Sequence, residues 1–119
     1  MSELQKAIEA SVTGDVLAGE DGWFCRTFVF AGDFPGFMGH FPGHPVLPAV
    51  AQMMAGAYVA SHGLDGVREV RGVKLARFFT PIAPGIAVTI HVRPQGPDAA
   101  EIRVTTAGDV LAAAFTLVF

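Results

Sequence analysis

Charged side chains are scarce in this sequence of 119 residues: Asp, Glu, Lys and Arg together make up 16% of it, against a usual share of about a quarter. Eight basic residues face eleven acidic ones, a net charge of −3, which excludes a broad nucleic-acid footprint. The single cysteine, Cys25, excludes an internal disulfide framework and a cysteine-based metal site, and no metal is expected. No apolar run reaches the roughly 20 residues of a membrane span. The most apolar stretch, residues 46–60, is interrupted by Pro48 and Gln52. Residues 1–9 carry Glu3, Lys6 and Glu9 and no apolar core, so they do not read as a secretory leader. A soluble, cytoplasmic protein without membrane or nucleic-acid partners is expected. What the sequence does have is apolar residues, 51% of the total. Such an excess calls for a surface that meets a partner subunit or an apolar ligand.

The chain reads as one domain over residues 1–119, without repeats or low-complexity tracts. Leu4, Ala7, Ile8 and Val12 recur at helical spacing behind a Ser2/Gln5 capping box, which predicts a short N-terminal helix over residues 1–14. Residues 23–30 are aromatic and β-branched and predict a strand. From residue 32 to residue 48 the chain carries Gly32, Gly36, Gly39 and Gly43 with Pro35, Pro42, Pro45 and Pro48, too many breakers for a regular element. A shaped loop of that length inside a small domain is usually functional. Small and straight-chain residues then predict a helix over residues 48–62, apolar nearly all round and therefore buried on most sides. Four further runs, at residues 70–79, 86–92, 101–106 and 110–119, read as strands separated by Pro and Gly turns. The sum is an α+β domain, about five antiparallel strands with one central buried helix.

Residues 39–50 read GHFPGHPVLPAV and carry the chemistry. They set a titratable imidazole, His40, in a rigid apolar loop that feeds a helix N-terminus near Ala49. Burial keeps an imidazole neutral, the form a general base needs. The free amides of a helix start form a partial positive pole suited to a carbonyl oxygen. Together they suit proton abstraction beside a carbonyl.

This stretch resembles the signature of the hot-dog-fold β-hydroxyacyl-acyl-carrier-protein dehydratases, His-Phe-Pro-Gly-x-Pro-Val-x-Pro-Gly-Val. The sequence matches it at His40, Phe41, Pro42, Gly43, Pro45, Val46, Pro48 and Val50, with Ala49 in place of the signature glycine. Ala76-Arg77-Phe78 with Pro81, Pro84 and Gly85 is similar to the family's strand after the helix, and the run from Leu47 to Gln52 looks closest to the branch of aryl-polyene biosynthesis. The resemblance implies a hot-dog fold, an antiparallel sheet wrapped around the central helix. It also implies elimination of water from a 3-hydroxyacyl thioester of acyl carrier protein or coenzyme A, in fatty-acid or polyketide- and polyene-type biosynthesis, with no dissociable cofactor. His40 takes the role of base, the carbonyl of Val46 orients its ring, and the amide of Ala49 stands in the oxyanion hole. Phe41, Gly43, Pro45, Gln52, Arg77 and Phe78 are the expected substrate contacts. Dimers are the rule in the family, with base and acid of one site coming from two subunits.

The sequence departs from the family at its second catalytic position. The family's acid, a glutamate or aspartate, falls fourteen residues after the histidine, where this sequence has Met54. A thioether has no proton to donate. Asp33, His44 and Gln52 are the polar neighbours in sequence, and Asp33 reads better as a turn residue. Three readings follow: a dehydratase whose acid is supplied elsewhere, including by an acid-bearing hot-dog chain in a heterodimer; a non-catalytic acyl-binding subunit; and an acyl thioesterase. Arg68, Arg71, Lys74 and Arg77 gather half the basic residues into ten positions, either a docking patch for an acidic carrier protein or a solvated strand end. Met53, Met54 and Tyr58 read as core packing or as the lining of an acyl tunnel. His62 and His91 lack metal-ligand partners, Cys25 sits on a strand with no base nearby, and Gly56 is expected to let the helix approach the sheet.

Overall fold

The computed structural model describes residues 2–37, 43–64 and 69–119. Helix α1 (Glu3–Ala10) opens on the expected capping box: the Gln5 amide donates to Ser2 Oγ at 3.1 Å, and the Ser2 amide donates to Gln5 Oε1 at 2.9 Å. It ends four residues before Gly14, because Ser11 closes it. The Ser11 hydroxyl donates to the Ala7 carbonyl at 2.8 Å and its amide to that of Ile8 at 3.1 Å. Val12 and Thr13, β-branched and poor at continuing a helix, start a strand instead. The sheet therefore has six strands rather than about five.

The strands are β1 (Val12–Ala18), β2 (Phe24–Val29), β3 (Gly72–Phe78), β4 (Ala87–Pro94), β5 (Ala99–Thr106) and β6 (Val110–Val118). They pair antiparallel throughout, in the order β1-β2-β4-β5-β6-β3. The two-residue period sorts their side chains. Val88, Ile90 and Val92 of β4 and Ala100, Ile102 and Val104 of β5 are buried under the helix. The other face is polar. There Thr27 and Thr89 share a hydrogen bond, Glu101 pairs with Arg93 at 3.0 Å and Arg103 at 3.2 Å, and both guanidinium groups lie 4.8 Å from the Trp23 ring.

Helix α2 (Ala49–Gly63) crosses the apolar face of the sheet. Pro48 is its N-cap, extended at φ −70°, ψ 157°, rather than its first helical residue, and the helix runs one residue beyond the expected end. Ala51, Gln52, Ala55, Gly56, Val59 and Ala60 are buried against the sheet. An added Cβ at Gly56 would stand 3.2 Å from Ile102 Cγ2 and from the Phe115 ring, so glycine sets the close approach of helix and sheet. Within one chain α2 is buried on this face only, not on most sides: Ala49 and Val50 are exposed, and Met53, Met54, Ala57 and Tyr58 are half-buried.

β1 and β3 are the sheet edges. The β3 edge is apolar and uncovered. Leu75 is 78% exposed and Phe79, just past the strand, 55%. Leu75 sits at φ 54°, in the irregularity between Lys74 and Arg77 where pairing with β6 shifts register.

Candidate functional site

Residues 38–42, with His40 and Phe41, lie outside the described residues, as does Arg68. The described flanks show how the motif loop is held. Before it, Phe30, Phe34 and Phe37 form a chain of edge-on rings, with centroids 4.8 Å and 5.8 Å apart. A single 3₁₀ turn (Pro35–Phe37) carries Phe37 into the core, a regular element that the density of breakers concealed. After it, Gly43 takes φ +85°, a left-handed conformation that favours glycine. Leu47, only 2% exposed, is tied twice: its amide donates to the Ile82 carbonyl at 2.8 Å, and its carbonyl accepts from Gln52 Nε2 at 3.1 Å. The described residues on either side of the loop are thus tied to the core.

The other sequence-predicted residues fall in distinct places. Val46 and Pro45 are half-buried, His44 is exposed, and Ala49 is the exposed first residue of α2. Pro48 gives no side-chain cap, so the first-turn amides of α2 have no side-chain acceptor of their own. Asp33 is exposed in the turn before Phe34. Gln52 does not face a substrate space. It is 4% exposed and spends its amide nitrogen on Leu47, while its Oε1 has no hydrogen-bond partner among the described residues. Arg77 and Phe78 lie on the β3 edge, both exposed, and Phe78 stacks over Phe115 at 6.4 Å. Arg71 and Lys74 are exposed along the same edge.

Met54 opens onto a cavity of about 530 Å³ between α1 and α2. Met54, Ala57 and Tyr58 form its α2 wall, with Ser61 and His62 a turn further on. Gln5, Ile8 and Glu9 of α1 stand opposite, and Glu69 and Val70 complete it. Met54 and Tyr58 thus line a shared space that Met53 does not, although all three pack against the core. Tyr58 is fixed from three sides. Its ring meets Phe28 edge-on at 6.1 Å and His62 at 4.2 Å, while Arg26 Nη1 donates to its phenolic oxygen at 3.5 Å. Arg26 is in turn anchored by Nε to the Gly14 carbonyl at 2.9 Å. The sequence reading left out Arg26 and the contribution of α1. The signal for Arg26 was its place in the alternation Phe24, Arg26, Phe28, which puts a charge on the inward face of β2.

The structure corrects the reading of Cys25. Strand register sets His91 directly opposite it, so a base does stand near the thiol. The pair is not activated, however. Burial raises the Cys25 pKa above 9.0, which disfavours the thiolate. Burial also lowers the His91 pKa, with Asp109 opposing that shift and Arg103 adding to it, and His91 Nε2 is 2.9 Å from Thr105 Oγ1. Among the described residues no group of three or more His, Cys, Asp or Glu is placed to hold a metal ion.

An antiparallel six-stranded sheet around one long helix is the hot-dog fold, and solved structures agree. The dehydratase heterocomplex ApeI:P from Xenorhabdus doucetiae superposes at TM-score 0.75 with 18% identity, over 87% of this chain and 92% of that one. A hypothetical thioesterase with coenzyme A from Streptococcus pneumoniae superposes at 0.68 with 7% identity, over 97% and 91%. The family model for ApeI-like dehydratases matches residues 20–114, and the chain belongs to that family. Among curated proteins, the 3-hydroxyacyl-acyl-carrier-protein dehydratase FabZ of Thermus thermophilus is 46% identical over 59 residues, 43% of this chain and 42% of that protein. The FabZ of Bradyrhizobium diazoefficiens is 34% identical over 73 residues, 52% and 46%. The chain therefore aligns with less than half the length of these relatives.

Proposed function

We propose that this protein eliminates water from 3-hydroxyacyl thioesters, carried by acyl carrier protein or coenzyme A, with His40 as the base. The observation that carries the reading is the motif of residues 39–50 in a chain of the ApeI-like dehydratase family. Its support in the structure is physical. The described flanks of the motif loop are tied to the core at Phe37 and Leu47, and the uncapped start of α2 offers the Ala49 amide to a thioester oxygen. The Val46 carbonyl orients the His40 ring. Phe41, Gly43, Pro45 and, from a second subunit's edge, Arg77 and Phe78 line the thioester's path. No dissociable cofactor takes part, and we place the protein in the cytoplasm. No helix among the described residues is long and apolar enough to cross a membrane.

The subunits pair through β3, whose exposed apolar edge asks for cover. Leu75→Asp is expected to turn a dimer into a monomer by sedimentation, and an unchanged mass would overturn that pairing.

The activity is tested by hydration of an enoyl thioester, the reverse reaction. His40→Ala is expected to lose on the order of 10²–10⁴-fold in rate, the usual worth of a general base. Activity that survives the substitution removes His40 from the mechanism.

Met54 favours a second reading, a subunit that completes its site only with an acid-bearing hot-dog chain or that binds acyl groups without turnover. A silent wild type with a gain in Met54→Glu selects that reading. Thioester hydrolysis without hydration selects a thioesterase.

A further inference from the structure

The cavity beside Met54 holds few groups that can give up a proton. Glu9 and Glu69 are exposed and lie on α1 and just before β3, not on the helix that carries Met54. Ser61 and His62 stand about two turns beyond Met54, and His62 directs Nδ1 to the Tyr58 carbonyl at 2.8 Å. Tyr58 differs from all of these. It lies one turn after Met54 on the same face of α2, a spacing that sets side chains about 6 Å apart. Both residues line the same cavity. Its hydroxyl is a proton donor, and the Arg26 guanidinium at 3.5 Å, also 5.7 Å from the ring centre, is placed to stabilise a phenolate.

Resting on the dehydratase reading above, we propose that Tyr58 is the acid of this site, replacing the carboxyl that Met54 does not supply. His40 removes the α-proton, and the electron pair of that C–H bond becomes the Cα–Cβ π bond. The Cβ–O bond breaks, and its electron pair leaves on the hydroxyl oxygen. That oxygen takes the phenolic proton of Tyr58 and departs as water. Tyr58 remains as a phenolate beside Arg26 and His40 as an imidazolium. Proton transfer between them through solvent resets both, so the cycle balances without another reactant.

The test is steady-state hydration of an enoyl thioester by the purified full chain, comparing wild type, Tyr58→Phe and Tyr58→Phe/Met54→Glu. Tyr58→Phe keeps the ring and its Phe28 contact and removes only the hydroxyl. It is expected to lose about 10²-fold or more in kcat with KM little changed and an unaltered circular dichroism spectrum. The double variant, with a carboxyl restored at position 54, is expected to recover about tenfold or more. Tyr58→Phe within threefold of wild type overturns the assignment, and so does a double variant that recovers nothing. A chain silent alone but active when mixed with a carboxylate-bearing hot-dog chain overturns Tyr58 and leaves the dehydratase reading standing. Silence in both settings overturns that reading and the assignment together.

Discussion

Gln52 Nε2 donates to the Leu47 carbonyl at 3.1 Å, closing the joint where the motif loop becomes helix α2. Both residues are buried, so the bond has no water to replace it. Gln52→Ala is expected to cost about 1–3 kcal/mol in urea unfolding, because it strands the Leu47 carbonyl and leaves a cavity. Gln52→Leu is expected to cost less, since it fills the space and also removes the Oε1 that has no partner among the described residues. Equal losses for the two would show that the hydrogen bond alone sets the effect.

His91 gives the fold a dependence on mild acid. Burial, opposed by Asp109 and aided by Arg103, lowers its folded pKa below the ordinary 6.5. Between those two values the unfolded chain binds more protons than the folded one. Stability is therefore full above about pH 6.5 and falls as the pH drops through the folded pKa. Unfolding curves from pH 7.5 to 5 are expected to show this decline, and His91→Gln to remove part of it. An identical decline in the variant would assign the effect to other groups.

The thiol of Cys25 is expected to react slowly despite the imidazole across the strand, since burial raises its pKa above 9.0. Disulfide-exchange labelling of the native protein at pH 8 is expected to run at least about tenfold slower than that of free cysteine. His91→Ala should leave that rate within about twofold, because the imidazole does not activate the thiol. Labelling as fast as free cysteine would mean that the strand pair opens or that His91 does lower the thiol pKa.

Gly56 limits how near α2 lies to β5 and β6. A Cβ there meets Ile102 and Phe115 at 3.2 Å, a gap that a small shift relieves. Gly56→Ala is thus expected to be nearly neutral, since helix propensity gains up to about 1 kcal/mol. Gly56→Leu is expected to cost about 1–3 kcal/mol by overpacking. Urea midpoints of the two variants read the difference directly. A tolerated leucine would show a looser helix–sheet contact than the structure has.

The sequence by itself determined much of this protein. The loop of residues 32–48, the helix after Pro48 and the capping box of Ser2 and Gln5 are written in local chemistry: glycine and proline restrict φ, and a serine oxygen satisfies a free amide. The motif around His40 and the methionine at position 54 were equally legible, because both are matters of residue type and spacing. What only the tertiary structure decided was which residues meet. Strand β1 was hidden behind a helical spacing that includes Val12, and only pairing with β2 selects the extended form. That Cys25 faces His91 depends on the register of β2 against β4, 66 positions apart in the chain (91 − 25). That Gln52 ties down Leu47 depends on the turn between loop and helix. That Arg26 reaches Tyr58 and that α1 walls the cavity of Met54 depend on packing around α2. Local preference acts over a few residues, whereas side-chain meeting is fixed by burying one apolar face of a sheet under one helix. That burial sets a phenol and a methionine along one cavity and brings an arginine to the phenol's oxygen.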